Sequence, residues 1–174
     1  MAILIAYASI EGQTGRIARF LADRAEAAGH EVRLADTRDR VEPIQLDGVE
    51  KVVLAAPVHE RRHPQGFEVF LAAQKSALKD RPTLFLSVSL SAAFPEKLEE
   101  ARDYVTEMEM RTGFSADETM LVAGAVGAGS YDYFEREVLR HVVLRGSDVD
   151  PDGPHEFTDW DRLSEALDGF LAKS

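Results

Sequence analysis

No cysteine occurs anywhere in the sequence, which excludes disulfides, thiolate metal ligands and thiol nucleophiles. Apolar runs of the roughly 20 residues needed to cross a bilayer are also missing. Basic residues are in short supply: 20 Lys and Arg stand against 31 Asp and Glu, a net charge of -11. A broad basic face for nucleic acid is therefore excluded, and at most weak peripheral association with an anionic membrane is expected. The leading MAILIAYAS has no basic segment ahead of its apolar residues, so it does not read as a targeting peptide, and a cytoplasmic location is expected. Repeats and low-complexity tracts are absent too.

What the 174 residues do contain is a 45% hydrophobic composition, with apolar runs alternating with longer amphipathic stretches. That alternation predicts a parallel sheet covered by helices on both faces. Strands are expected at Ala2 to Tyr7, Glu31 to Ala35, Lys51 to Val58, Thr83 to Ser89 and Thr119 to Val126. Their nearly continuous Ile, Val, Leu and Ala suits burial on two faces, whereas the short, polar second run suits an edge. Helices are expected from near Gly15 up to Gly29, over 64 to 79, over 95 to 111, and after a capping box at Thr158 and Asp161. The whole chain, residues 1–174, reads as one domain. An insert at about 128–157 includes an expected helix from Tyr131 to Leu144 and an acidic loop read as solvated surface.

Two loops carry chemical signals. His59-Glu60-Arg61-Arg62-His63 spells H-E-x-x-H, a pattern that binds zinc when both histidines share one helical face. Here it follows a strand, and Pro64 drives His63 away from helical angles. The pentad is accordingly placed in a loop, with no metal. The second signal is Ser9-Ile10-Glu11-Gly12-Gln13-Thr14, between the first strand and the first helix. A helix start with unpaired N–H groups, a glycine permitting close approach, and the hydroxyls of Ser9 and Thr14 suit a phosphate. Simple helix capping by the two hydroxyls is the competing reading. The loop matches neither of the glycine-rich nucleotide signatures.

AYASIEGQTGRIA, SVSLSAAFPEK, AGAV and the late TDW resemble the flavodoxin-like proteins of the menaquinone-dependent protoporphyrinogen oxidase family. The resemblance implies an α/β flavodoxin-like, doubly wound five-stranded parallel sheet of order 2-1-3-4-5, with a helical insert after strand five. It also implies FMN as cofactor, dehydrogenation of protoporphyrinogen IX, and a quinone or redox partner protein as electron acceptor. By position, Ser9, Ile10, Glu11, Gly12, Gln13 and Thr14 would hold the FMN phosphate. Val58, His59, Glu60 and Arg61, with Ser89, Leu90 and Ser91, would flank the flavin ring. Tyr131 to Phe134 would lie near the entrance. The family's phosphate loop usually has threonine where Glu11 stands, and its loop after strand three tends to carry Arg-Tyr-Gly where this chain has His59-Glu60-Arg61. An electron-carrying flavodoxin without substrate chemistry of its own is the alternative.

Overall fold

A computed structural model describes residues 2–10, 12–38, 43–126 and 155–173. Five strands form one parallel sheet: β1 (Ala2–Tyr7), β2 (Glu31–Asp36), β3 (Val49–Pro57), β4 (Thr83–Ser89) and β5 (Glu118–Ala123), in the order β2-β1-β3-β4-β5. The helices are α1 (Gln13–Ala27), α2 (Gln65–Lys79), α3 (Leu98–Thr112) and α4 (Trp160–Ala172). The expected order and edge position of β2 are thus observed.

Alternation along the strands sorts the core into two layers, because successive side chains leave opposite faces of a sheet. Ile3, Ile5, Val53, Leu84 and Leu86 pack with Ile17 and Leu21 of α1 and Leu163, Leu167 and Phe170 of α4. Leu4, Val52, Leu54 and Phe85 pack instead with Phe67, Leu71 and Leu78 of α2 and Val105 and Met108 of α3. Lys51 is a charged exception within the strands, being only 4% exposed. Its ammonium donates to the carbonyl oxygens of Phe170 (3.1 Å), Leu171 (2.9 Å) and Lys173, so a residue of the central strand terminates the last helix. Three donors meet three acceptors at the negative end of the helix, which is how a buried ammonium is tolerated.

Several expected boundaries shift. The first helix begins at Gln13, because Gly12 takes a left-handed φ of 96° as its N-cap. Two 3₁₀ turns, Ser91–Ala93 and Pro95–Lys97, precede α3 at Leu98. The fifth apolar run is divided: β5 ends at Ala123, and Ala125–Val126 (β6) pairs antiparallel with His155–Glu156 (β7) in a separate ribbon. Gly124 makes the break, its N–H donating to Ser89 O (3.2 Å) and its carbonyl accepting from Phe157 N (3.0 Å). Asp159, not Thr158, caps α4, accepting from Arg162 N at 3.1 Å. Most of the expected insert, with Tyr131 to Phe134, lies outside the described residues, as does Glu11. No helix among the described residues is long and apolar enough to cross a membrane.

Candidate functional site

Strand order reverses between β1 and β3, and the loops leaving the carboxyl ends there face one another across the crevice in which such sheets bind ligands. Backbone bonds place them side by side. Ala8 N donates to Ala55 O (3.0 Å), Val58 N to Val88 O (2.8 Å), and Gly124 N to Ser89 O. The loops beginning at Ala8, Val58 and Leu90 therefore share one rim.

On the first loop, Ser9 is buried and its Oγ accepts from Gly12 N (3.1 Å) and Gly15 N (3.3 Å). The hydroxyl therefore shapes the start of α1, as the capping reading expects of Ser9. Both contacts use oxygen lone pairs, which leaves the hydroxyl proton for another acceptor. A Cβ built on Gly12 meets nothing within 4 Å, so this glycine is required by its positive φ rather than by crowding. Thr14 is buried, Gln13 half-buried, and Ile10 exposed. The first turn of α1 holds no acidic side chain. Its positive dipole end is therefore uncompensated by the helix itself, which fits a bound phosphate.

The second loop overturns the zinc-protease spelling by its geometry. His59 and Arg62 form a two-way bridge, His59 N to Arg62 O at 2.9 Å and Arg62 N to His59 O at 3.2 Å. Glu60 and Arg61, between them, have φ of 51° and 67°. Two positive φ values in a two-residue loop are the mark of a type I′ turn, here built without glycine or asparagine. The two histidines consequently part company. His59 stays half-buried in the turn, while His63 is 1% exposed, with Nε2 2.8 Å from Ser87 Oγ and its ring 5.5 Å from that of Phe85. Burial pushes the His63 imidazole down to about 4, and the guanidinium of Arg111 adds to that against the carboxylate of Glu68. It is a neutral core histidine at physiological pH.

Glu68 anchors the same region, taking Arg62 at 2.9 Å and Arg111 at 2.7 Å. Burial raises its carboxyl, but the hydrogen bonds from Arg111 and Arg62 outweigh that and hold it below the usual carboxylate range. Arg61, at the tip of the turn, lies 3.5 Å from Glu100. The turn is thus fastened to α2 and α3.

On the third loop Ser89 Oγ accepts from Ala92 N at 3.2 Å, and Leu90 leads into the first 3₁₀ turn. Ser91 is 1% exposed and its Oγ has no hydrogen-bond partner among the described residues. An unsatisfied buried hydroxyl beside the rim is what a ligand-binding loop retains at the expense of stability. Three of the contributions at this end escaped sequence reading: Ser87 as the partner of His63, Glu68 as the anchor between two arginines, and Thr158, whose hydroxyl joins Ala123 O to Gln13 Nε2. Thr158 stood next to a second possible cap, Asp159, and that adjacency was the available signal.

Fold and site together define the class: an open, doubly wound α/β protein whose candidate site lies at the switch point between β1 and β3. The flavodoxin domain family matches residues 4–150, more than half of the sequence, and the chain belongs to that family. It is 26% identical to protoporphyrinogen IX dehydrogenase (quinone) of Escherichia coli (strain K12) over 166 residues, 94% of this chain and 91% of that protein. Among solved structures, oxidised flavodoxin 1 from Bacillus cereus superposes with a TM-score of 0.61 at 18% identity, covering 100% of both chains. A Fusobacterium nucleatum flavodoxin variant bound to flavin mononucleotide superposes at 0.52 with 11% identity, covering 99% of this chain and 94% of the other.

Proposed function

We propose that the protein is an FMN-dependent oxidoreductase, one that dehydrogenates protoporphyrinogen IX or a related reduced tetrapyrrole and passes the electrons to a quinone. The observation that carries this reading is the β1–α1 loop: Ser9 Oγ ties down Gly12 N and Gly15 N and keeps its own proton to give, beside a first helical turn with no acidic side chain, at the switch point of the sheet. Substrate and acceptor are supported by the name of the Escherichia coli relative and by its similarity over nearly the full length of both proteins.

In this reading Ser9, Ile10, Gly12, Gln13 and Thr14 hold the FMN phosphate, together with Glu11. Val58, His59, Glu60 and Arg61 flank one side of the ring, and Ser89, Leu90 and Ser91 the other. When bound, FMN supplies the two-electron chemistry, while the protein orients the reactants and sets the electrostatics around them. The side chain of Ser91 would gain at the ring edge the hydrogen bond it lacks. A cytoplasmic location and weak, peripheral contact with the membrane that holds the quinone complete the proposal.

Net acidity favours one alternative, an electron carrier docking on basic redox partners. Absorption spectra of the purified protein before and after FMN addition test the flavin reading, and a colourless protein that cannot be reconstituted refutes it. Anaerobic turnover of protoporphyrinogen IX with a quinone then separates enzyme from carrier: the enzyme gives multiple turnovers, whereas a carrier stops after reducing its own flavin.

A further inference from the structure

The segment from Phe157 to Trp160 crosses the rim and touches several elements that build the candidate site. The Phe157 ring stands edge-on to Phe94 of the β4–α3 loop at 5.6 Å, and its N–H holds the Gly124 carbonyl. Asp159 caps α4. Trp160 meets Phe20 of α1 at 4.9 Å, with the Arg16 guanidinium 5.5 Å from its ring centre. Between them, Thr158 uses its hydroxyl in both senses. It donates to Ala123 O, the last residue of β5, at 2.7 Å and accepts from Gln13 Nε2, the first residue of α1, at 3.0 Å. Gln13 Oε1 in turn accepts from Arg16 Nη1 at 3.0 Å.

This arrangement compensates for a weakness of α1. Its N-cap, Gly12, has no side chain, so the Gly15 N–H is taken by Ser9 Oγ from outside the helix, and glycine is the residue that restrains the backbone least. The side chain of Gln13 is instead held at both ends, by the same helix through Arg16 and by the far side of the sheet through Thr158. We propose that Thr158 is a positioning residue for the phosphate loop, fixing Gln13 and with it the direction of the first N–H groups of α1, so that the protein discriminates phosphorylated from unphosphorylated flavin. This rests on the flavin reading above. Nothing in it requires Thr158 to touch the ligand.

The discriminating measurement compares FMN with riboflavin, which presents the same ring without the phosphate. Flavin-fluorescence titrations of the wild type, Thr158→Val and Thr158→Ser give the dissociation constants. Valine keeps the volume but removes the hydroxyl, so FMN affinity falls about tenfold, the equivalent of one hydrogen bond of positioning, while riboflavin affinity is unchanged. Serine retains the hydroxyl and restores FMN binding. Gln13→Ala breaks the same contact from its other end, and its effect does not add to that of Thr158→Val in the double variant. If Thr158→Val is poorly folded, Thr158→Ala carries the comparison. Wild-type affinity for FMN in both variants, or equal losses for FMN and riboflavin, overturns the positioning role while leaving the flavin reading intact. A wild type that binds neither flavin overturns both.

Discussion

At the scale of single residues, the least expected side chains are buried, polar and satisfied by partners far away in sequence. His63 is one. Its folded imidazole titrates near 4 instead of 6.5 because burial disfavours the cation. The unfolded chain therefore binds the proton first, and the stability this residue contributes is complete above about pH 6.5 and lost as the pH falls toward 4. The loss amounts to roughly 3 kcal/mol. Urea unfolding across that range shows it as a slope that is absent in His63→Gln; equal slopes for the two proteins contradict the assignment. Glu68 acts in a lower window, its contribution being present above about 4.5 and disappearing as the pH drops through its depressed folded value. Lys51 is the second case. Lys51→Met leaves the Leu171 and Lys173 carbonyls without the ammonium and Phe170 O with only the longer bond from Lys173 N, and a loss of about 2 to 3 kcal/mol follows. A shift in urea midpoint equivalent to less than about 0.5 kcal/mol would contradict the charged-cap account. Neither residue announced its partner in the sequence. Lys51 sits in an apolar run with nothing nearby to show that residues 170–173 supply its acceptors, and His63 belongs to a motif whose spelling pointed to metal.

Elements were more legible where burial alone decides them. The three inner strands, β1, β3 and β4, are apolar because helices cover both faces, and β2 is polar because it is an edge. The division at Gly124 was not legible, since Thr119 to Val126 is one apolar run and the break depends on Phe157, more than thirty residues away. Nor was the turn after β3, which lacks the glycine or asparagine that marks type I′ geometry. Its form is imposed from outside: Val58 N is tied to Val88 O and His63 to Ser87, so β4 holds both ends and the two residues between must reverse the chain at positive φ. Releasing that conformation measures its cost. Arg61→Gly relieves about 1 to 2 kcal/mol of left-handed strain, against somewhat less lost to the freer unfolded chain. The contact with Glu100 counts for little because the Arg61 side chain is 69% exposed. Thermal unfolding should therefore show Arg61→Gly more stable by roughly 0.5 to 1 kcal/mol and Arg61→Ala nearly neutral or slightly worse. A destabilised glycine variant would show that the turn is not strained.

For the molecule as a whole, a net charge of -11 opposes the approach of any anionic ligand, while the local field at the start of α1 favours it. If FMN is the ligand, its affinity should improve several-fold as salt is raised from roughly 10 to 150 mM, because screening weakens the long-range repulsion more than the short contacts. Riboflavin, carrying no phosphate, should show little change; a fall in FMN affinity with salt would mean that local attraction dominates at all distances. Charge and fold class were both readable before any coordinates, but the closure of the rim by Phe157 to Trp160 was not, because it depends on hydrogen bonds between positions up to 145 residues apart. The same separation bears on how the chain is made. Lys51 lies in the middle strand of the sheet, yet the carbonyls that receive its ammonium belong to residues 119 to 122 positions later. While the ribosome still holds those last residues, β3 cannot be covered on that face without stranding a charge. The Lys51 end of that face therefore stays open to water in the nascent sheet until α4 arrives, although α1 is already available to cover the part around Val53.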